Sequence, residues 1–89
     1  MAIIADEMDS RGYVFENQYI RVDRIEEIKK DSAMRIEVGV YMSQQQAQDG
    51  GLPHRAHAFH ADFDLYSTDN LWQQAYVAVK RRYPEHTDA

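Results

Sequence analysis

Ala33-Met34-Arg35-Ile36-Glu37-Val38-Gly39-Val40-Tyr41-Met42 is the stretch on which the fold turns. Met34, Ile36, Val38, Val40 and Met42 hold every even position, and Ala33, Arg35, Glu37, Gly39 and Tyr41 the odd ones. Successive side chains of a strand point to opposite faces, so this two-residue period predicts a strand with one buried face. The polar turn before it, Lys29-Lys30-Asp31-Ser32, makes antiparallel pairing with the preceding segment the natural expectation.

That preceding segment, residues 13–28, is rich in strand formers: Tyr13, Val14, Phe15, Tyr19, Ile20 and Val22. Ile20 and Val22 alternate with Tyr19, Arg21 and Asp23, and then the pattern slips to Ile25 and Ile28. A bulge near Arg24, or a strand end there, accounts for the slip. Downstream, Ser43 to Pro53 reads as a polar loop, with Asp49-Gly50-Gly51 suited to positive φ and Pro53 unable to donate a ladder bond. Residues 54–66 read as a third strand. Phe59, Ala61, Phe63 and Leu65 share one face, and His60, Asp62 and Asp64 the other.

Ser67-Thr68-Asp69-Asn70 is a helix-start cluster, and Leu71 to Arg82 contains neither proline nor glycine. Trp72, Ala75, Tyr76, Val79 and Tyr83 recur at spacings of three and four and predict one buried helical face. Lys80-Arg81-Arg82 falls at the negative end of the helix dipole, and Pro84 ends the helix. Residues 1–12 show no clear period, because Asp6, Glu7 and Asp9 surround Ile3, Ile4 and Met8, while Ser10-Arg11-Gly12 reads as a turn. The expectation is an α+β fold of order β-β-β-α. It is a three-stranded antiparallel meander with one C-terminal helix on its apolar face, over residues 13–84. Residues 1–12 are then an N-terminal arm and residues 85–89 a C-terminal tail.

At 89 residues the chain has room for one core. Fifteen acidic residues against ten basic ones give a net charge of −5, which repels a phosphate backbone and disfavours direct nucleic-acid binding. The absence of cysteine excludes a disulfide scaffold, a thiolate nucleophile and a Cys-based zinc site. The start lacks the basic residues and long apolar run of a signal peptide, and no window is apolar enough for a membrane span. A soluble chain made in the cytoplasm, with no membrane partner, is expected.

Candidate chemistry is sparse. His54, His57 and His60 are spaced for a helix face, but on a strand His57 points away from the other two, so they read as surface and packing groups. His60, Asp62 and Asp64 share a strand face and could orient a divalent cation, but without further oxygen ligands they read as the solvated face of an antiparallel sheet. Glu26 and Glu27 are adjacent and face opposite sides of a strand. Trp72 and Tyr76 read as core, with Trp72 an interface anchor should it prove exposed. No nucleophile elbow, phosphate loop or His-Glu-x-x-His motif is present. No residue is assigned a catalytic, cofactor-binding or metal role, and the expectation is a non-enzymatic protein.

Two further stretches carry a resemblance. Asn17-Gln18-Tyr19-Ile20-Arg21-Val22, followed by Ile25, and Asn70-Leu71-Trp72-Gln73-Gln74-Ala75-Tyr76, followed by Val79-Lys80, flank the central strand. Over residues 12–83 this pattern resembles a group of short tailed-bacteriophage proteins with an Asn-x-Tyr-x-Arg-Val opening and a late Gln-Ala-Tyr-x-x-Leu-Lys helix. The chain departs from it with Val79 in place of Leu and with the ending Arg81-Arg82-Tyr83-Pro84. The resemblance implies a late structural protein of the virion, in the tail, baseplate or fibre-attachment region. Its partners would be other virion proteins and copies of itself, and it carries over no catalytic residue. Two alternatives stand beside it: an acidic inhibitor of a host or defence protein, and a capsid or connector accessory protein. The inhibitor would mimic a nucleic acid with carboxylates clustered on one face, whereas Asp6, Glu7, Asp9, Glu26, Glu27, Asp62 and Asp64 are scattered, which ranks this reading second.

Overall fold

The computed structural model describes residues 2–28, 33–64 and 69–89. Along these run β1 (Ile3–Met8), β2 (Val14–Ile28), β3 (Ala33–Tyr41), α1 (Gln44–Gln48), β4 (Arg55–Asp62), α2 (Leu71–Arg82) and β5 (Thr87–Asp88). The strands form one sheet in the order β4-β3-β2-β1-β5. Every neighbouring pair is antiparallel.

The expected three-stranded meander with one helix is therefore corrected to a five-stranded antiparallel sheet with two helices. Both terminal segments contribute a strand. In the segment read as an arm, Ile3 and Ala5 are buried, while Asp6 and Met8 are exposed. The acidic residues hid this alternation, because Glu7 occupies an inward position where an apolar residue would have completed the pattern. β5, in the segment read as a tail, pairs only Thr87 and Asp88 with Ile4 and Ile3, too short a run to show a period. The segment read as a loop holds α1. Ser43 caps it by accepting the Gln46 N–H at 3.1 Å. Gly50, at φ +80°, closes it, with Gly50 N–H donating to Ala47 O and Gly51 N–H to Gln46 O.

The central alternation holds through Val40. Met34, Ile36, Val38 and Val40 are fully buried. Met42 lies past the end of β3 and is exposed; its N–H donates to Gln46 Oε1 and opens the turn into α1. With Ile3, Ala5, Ile20 and Val22 the even residues of β3 form the sheet face that meets Ala75, Tyr76 and Val79 of α2. Burying each large apolar side chain of this layer contributes about 1.5–3 kcal/mol. The opposite face carries a smaller cluster, in which α1 sets Ala47 against Ala2, Tyr19 and Tyr41, with Ile4 at its margin.

β2 carries two irregularities, and both matter for shape. The pairing with β3 shifts between Val22 and Arg24, close to the expected slip. The pairing with β1 shifts between Ala5 and Glu7, where Asn17 adopts φ 53° and donates its N–H to Asp6 Oδ1 at 2.9 Å. Bulges bend a strand and tighten its twist. The β1–β2 hairpin curls over the helix-bearing face far enough for Glu7 to reach Arg55 and His57 of β4.

α2 occupies its expected span and is capped by Asn70 in a reciprocal box with Gln73. Its buried stripe is Ala75, Tyr76 and Val79. Trp72 is in angular register with that stripe but belongs to the first turn, and it is 48% exposed. It lines a groove with Arg21, Val22, Asn70, Gln73 and Tyr76 rather than joining the core. The expectation that Trp72 is core is corrected accordingly. Tyr76 accepts the Val22 N–H at 3.1 Å, so the helix supplies a partner at the β2 bulge. The Lys29–Ser32 turn, Leu65 and the Ser67-Thr68 half of the cap cluster lie outside the described residues.

Candidate assembly surface

Glu7 and Gln18 are the buried polar side chains among the described residues. Strands β1 and β4 are three spacings apart in the sheet, about 14 Å if it were flat. The curl of the hairpin closes that gap. Glu7 Oε1 lies 3.3 Å from Arg55 Nε and also contacts His57 Nε2, while Tyr83 donates to Oε2 at 2.8 Å. A carboxylate only accepts, so His57 contributes its Nε2 proton here. Arg55 Nε is buried without a hydrogen-bond partner, its distance to Glu7 being an ion-pair contact of poor angle. Burial, reinforced by the hydrogen bond to Glu7 and its charge, pushes the Tyr83 hydroxyl well above the ordinary tyrosine value.

Both oxygens of Glu7 are occupied by protein groups from β4 and from the end of α2. The arrangement is a clamp that fastens the hairpin across the sheet. A second link lies beside it, where His54 Nε2 contacts Gln18 Oε1 at 2.6 Å and the His54 and Phe15 rings sit 5.0 Å apart.

At the end of the molecule beyond this clamp, large apolar side chains stand exposed among polar ones such as Asp9, Arg11 and Asp49. β1 and β3 end here, and β2 and β4 begin here. Met8 (62%), Tyr13 (61%) and Leu52 (82%) are exposed, together with Val14 and Met42. The hairpin tip that presents three of them is closed by hydrogen bonds to Asp9. Asp9 accepts the N–H groups of Arg11 and Tyr13, and Gly12 takes φ +84°. Desolvation raises the Asp9 pKa, but the two backbone donors outweigh it and hold the carboxyl below its usual range.

On the sheet face away from α2, Arg21, Asp23 and Tyr41 form a closed triangle. Arg21 Nε reaches Asp23 Oδ1 at 2.8 Å, Arg21 also donates to Tyr41 OH at 2.8 Å, and Tyr41 OH donates to Asp23 Oδ2 at 2.7 Å. The Arg21 guanidinium stacks 4.8 Å above the Tyr41 ring. This packing uses the space over Gly39, where a Cβ would collide with Asp23 Oδ2 and lie 2.8 Å from Tyr41 Cε2. A side chain at this position of β3 would have to displace the Asp23 carboxylate and the Tyr41 ring from the triangle.

The third surface is the outer side of β4. Among the described residues no strand lies beyond it. Its pairing with β3 runs unbroken from Arg55 opposite Val40 to Asp62 opposite Ala33. Ala56, Ala58, His60 and Asp62 are exposed, while Arg55, His57, Phe59 and Ala61 lean inward. Arg82 stacks 5.1 Å from the Phe59 ring. A groove of about 530 Å³ separates β4 from α2.

The residues singled out from sequence scatter. His60 and Asp62 stand on the exposed side of β4, and Asp64 lies past its end, where its N–H donates to Gln74 Oε1. Among the described residues no three His, Asp or Glu side chains converge as a metal-ligand set. His57 enters the Glu7 clamp, and His54 joins Gln18 and Phe15. Lys80 reaches Asp88 of β5 at 3.0 Å. Glu7, Arg55 and Tyr83 went unrecognised as a group. The available signal was parity, since Glu7 follows Ile3 and Ala5 at the same two-residue spacing. No protein-family model, curated protein or solved structure matches the chain.

Proposed function

We propose that this chain is a small non-enzymatic structural subunit of a tailed-phage virion, in the tail, baseplate or fibre-attachment region. The observation that carries the reading is the end of the molecule where Met8, Tyr13, Val14, Met42 and Leu52 stand exposed over the internally satisfied Glu7 clamp. Exposed apolar side chains gathered at one end mark an interaction surface. The clamp holds that surface in shape without a partner, as a pre-formed docking end requires. The sequence resemblance supplies the setting. The neighbours are other virion proteins, the site of action is the particle, and neither a cofactor nor a catalytic residue is involved. The inhibitor alternative is less well supported, because Glu7, one of the carboxylates it needs exposed, is buried against Arg55 and His57.

Mass spectrometry of purified, nuclease-treated particles tests the proposal. The expected result is the chain at a fixed ratio to the major capsid protein, with that ratio falling at least tenfold for a Met8→Ser, Tyr13→Ser, Leu52→Ser variant. Abundance in the infected-cell lysate with absence from particles would overturn it.

A further inference from the structure

We infer that β4 is a self-pairing edge, and that two copies of this chain join there, antiparallel, into one continuous sheet. Protected sheet edges carry prolines, lysines, bulges or covering segments. The described stretch of β4 has no proline, lysine or register shift; its inward Arg55 and His57 are engaged by Glu7, and its outward formal charge is Asp62 at the strand end. It presents eight residues in regular register, with the small side chains of Ala56 and Ala58 exposed.

Charge selects the occupant. Along α2, which flanks β4 across the groove, Asp69 precedes the first turn and Arg81 and Arg82 lie in the last, so this flank is acidic at one end and basic at the other. A two-fold axis normal to the sheet reverses the second copy. Each basic end then faces the partner's acidic end, which a parallel arrangement would not achieve. Directly opposed residues of an antiparallel pair share a face, so the axis passes through a residue of β4. Placing it at Ala58 sets the smallest exposed side chains at the closest approach and opposes Ala56 to His60 of the second copy. Met8, Tyr13 and Val14 of the β1–β2 hairpin stay outside this contact and remain available to a different neighbour. The inference deepens the assembly reading, and the two fail separately: one is measured on particles, the other on the purified chain.

Sedimentation velocity over a wide concentration range, combined with cysteine cross-linking, tests the pairing. The chain has no cysteine of its own, so each introduced thiol reports alone. Opposed Cβ atoms across an antiparallel pair lie about 4.5–5.5 Å apart, within disulfide reach. Ala58→Cys should form a covalent dimer on mild oxidation. Ala56→Cys should not, because the two thiols would be about 13 Å apart along the strands. Ala58→Lys, at an exposed position, should keep the circular dichroism of the parent and weaken the dimer at least tenfold. A chain that stays monomeric to millimolar concentration overturns the inference. So does a dimer that Ala58→Lys leaves intact, or one in which Ala56→Cys cross-links and Ala58→Cys does not.

Discussion

The two edges of the sheet are finished in different ways. β1 is flanked by the C-terminal segment. Thr87 and Asp88 pair with Ile4 and Ile3, Ala89 N–H donates to Ala2 O, Lys80 holds Asp88, and Tyr83 reaches Glu7. β4 has no such cover among the described residues, although it is the longer edge. On the proposed pairing, this difference directs association to the β4 side. The Glu7 clamp serves both edges, because it joins β1, β4 and the end of α2 at a single carboxylate.

The largest way to break this comparison is to remove that carboxylate. Glu7→Ala strips Arg55 and His57 of their shared partner and should cost about 3 kcal/mol of stability in urea titration. A loss below about 1 kcal/mol would mean that the hairpin is held elsewhere. Next comes the face that the clamp does not touch. Gly39→Ala forces a Cβ into Asp23 and Tyr41 and should destabilise by about 2 kcal/mol. Because Gly39 pairs with Ala56, it should also loosen β4 locally, visible as faster amide exchange there.

Deleting residues 87–89 sharpens the contrast directly. It removes a few backbone hydrogen bonds and the Lys80–Asp88 pair, at about 1–2 kcal/mol, and turns the closed edge into an open one. The truncated chain should associate to higher order than the parent, since it then has two free edges. The smallest effect is at alkaline pH. Tyr83 has a raised folded-state pKa, so it keeps its proton longer when folded than when unfolded. Its contribution is fully present below the unfolded value of about 10 and is lost as pH rises above it. Tyr83→Phe should cost about 1 kcal/mol at neutral pH and flatten that alkaline decline.

Much of the fold was legible where a period could run. The alternation of Met34 to Val40 located the central strand, the slip after Val22 located a bulge, and the Asn70 cap with Leu71 to Arg82 located α2. What escaped had no period to offer. β5 has two residues and α1 five, and β1 carries a buried acid in an inward position. The clamp escaped for a different reason. Its members, Glu7, Arg55, His57 and Tyr83, come from β1, β4 and the end of α2 and meet only in the folded chain. Trp72 shows the converse failure: its helical register was right, but its turn lies where the core is not.

The most direct test of the account is amide hydrogen exchange across the whole chain at micromolar and millimolar concentration. The account predicts that peptides covering Arg55–Asp62 gain protection at the higher concentration, while peptides covering β1 and residues 83–89 do not change. Protection that is independent of concentration throughout, or a gain on the β1 and β5 side alone, would contradict it.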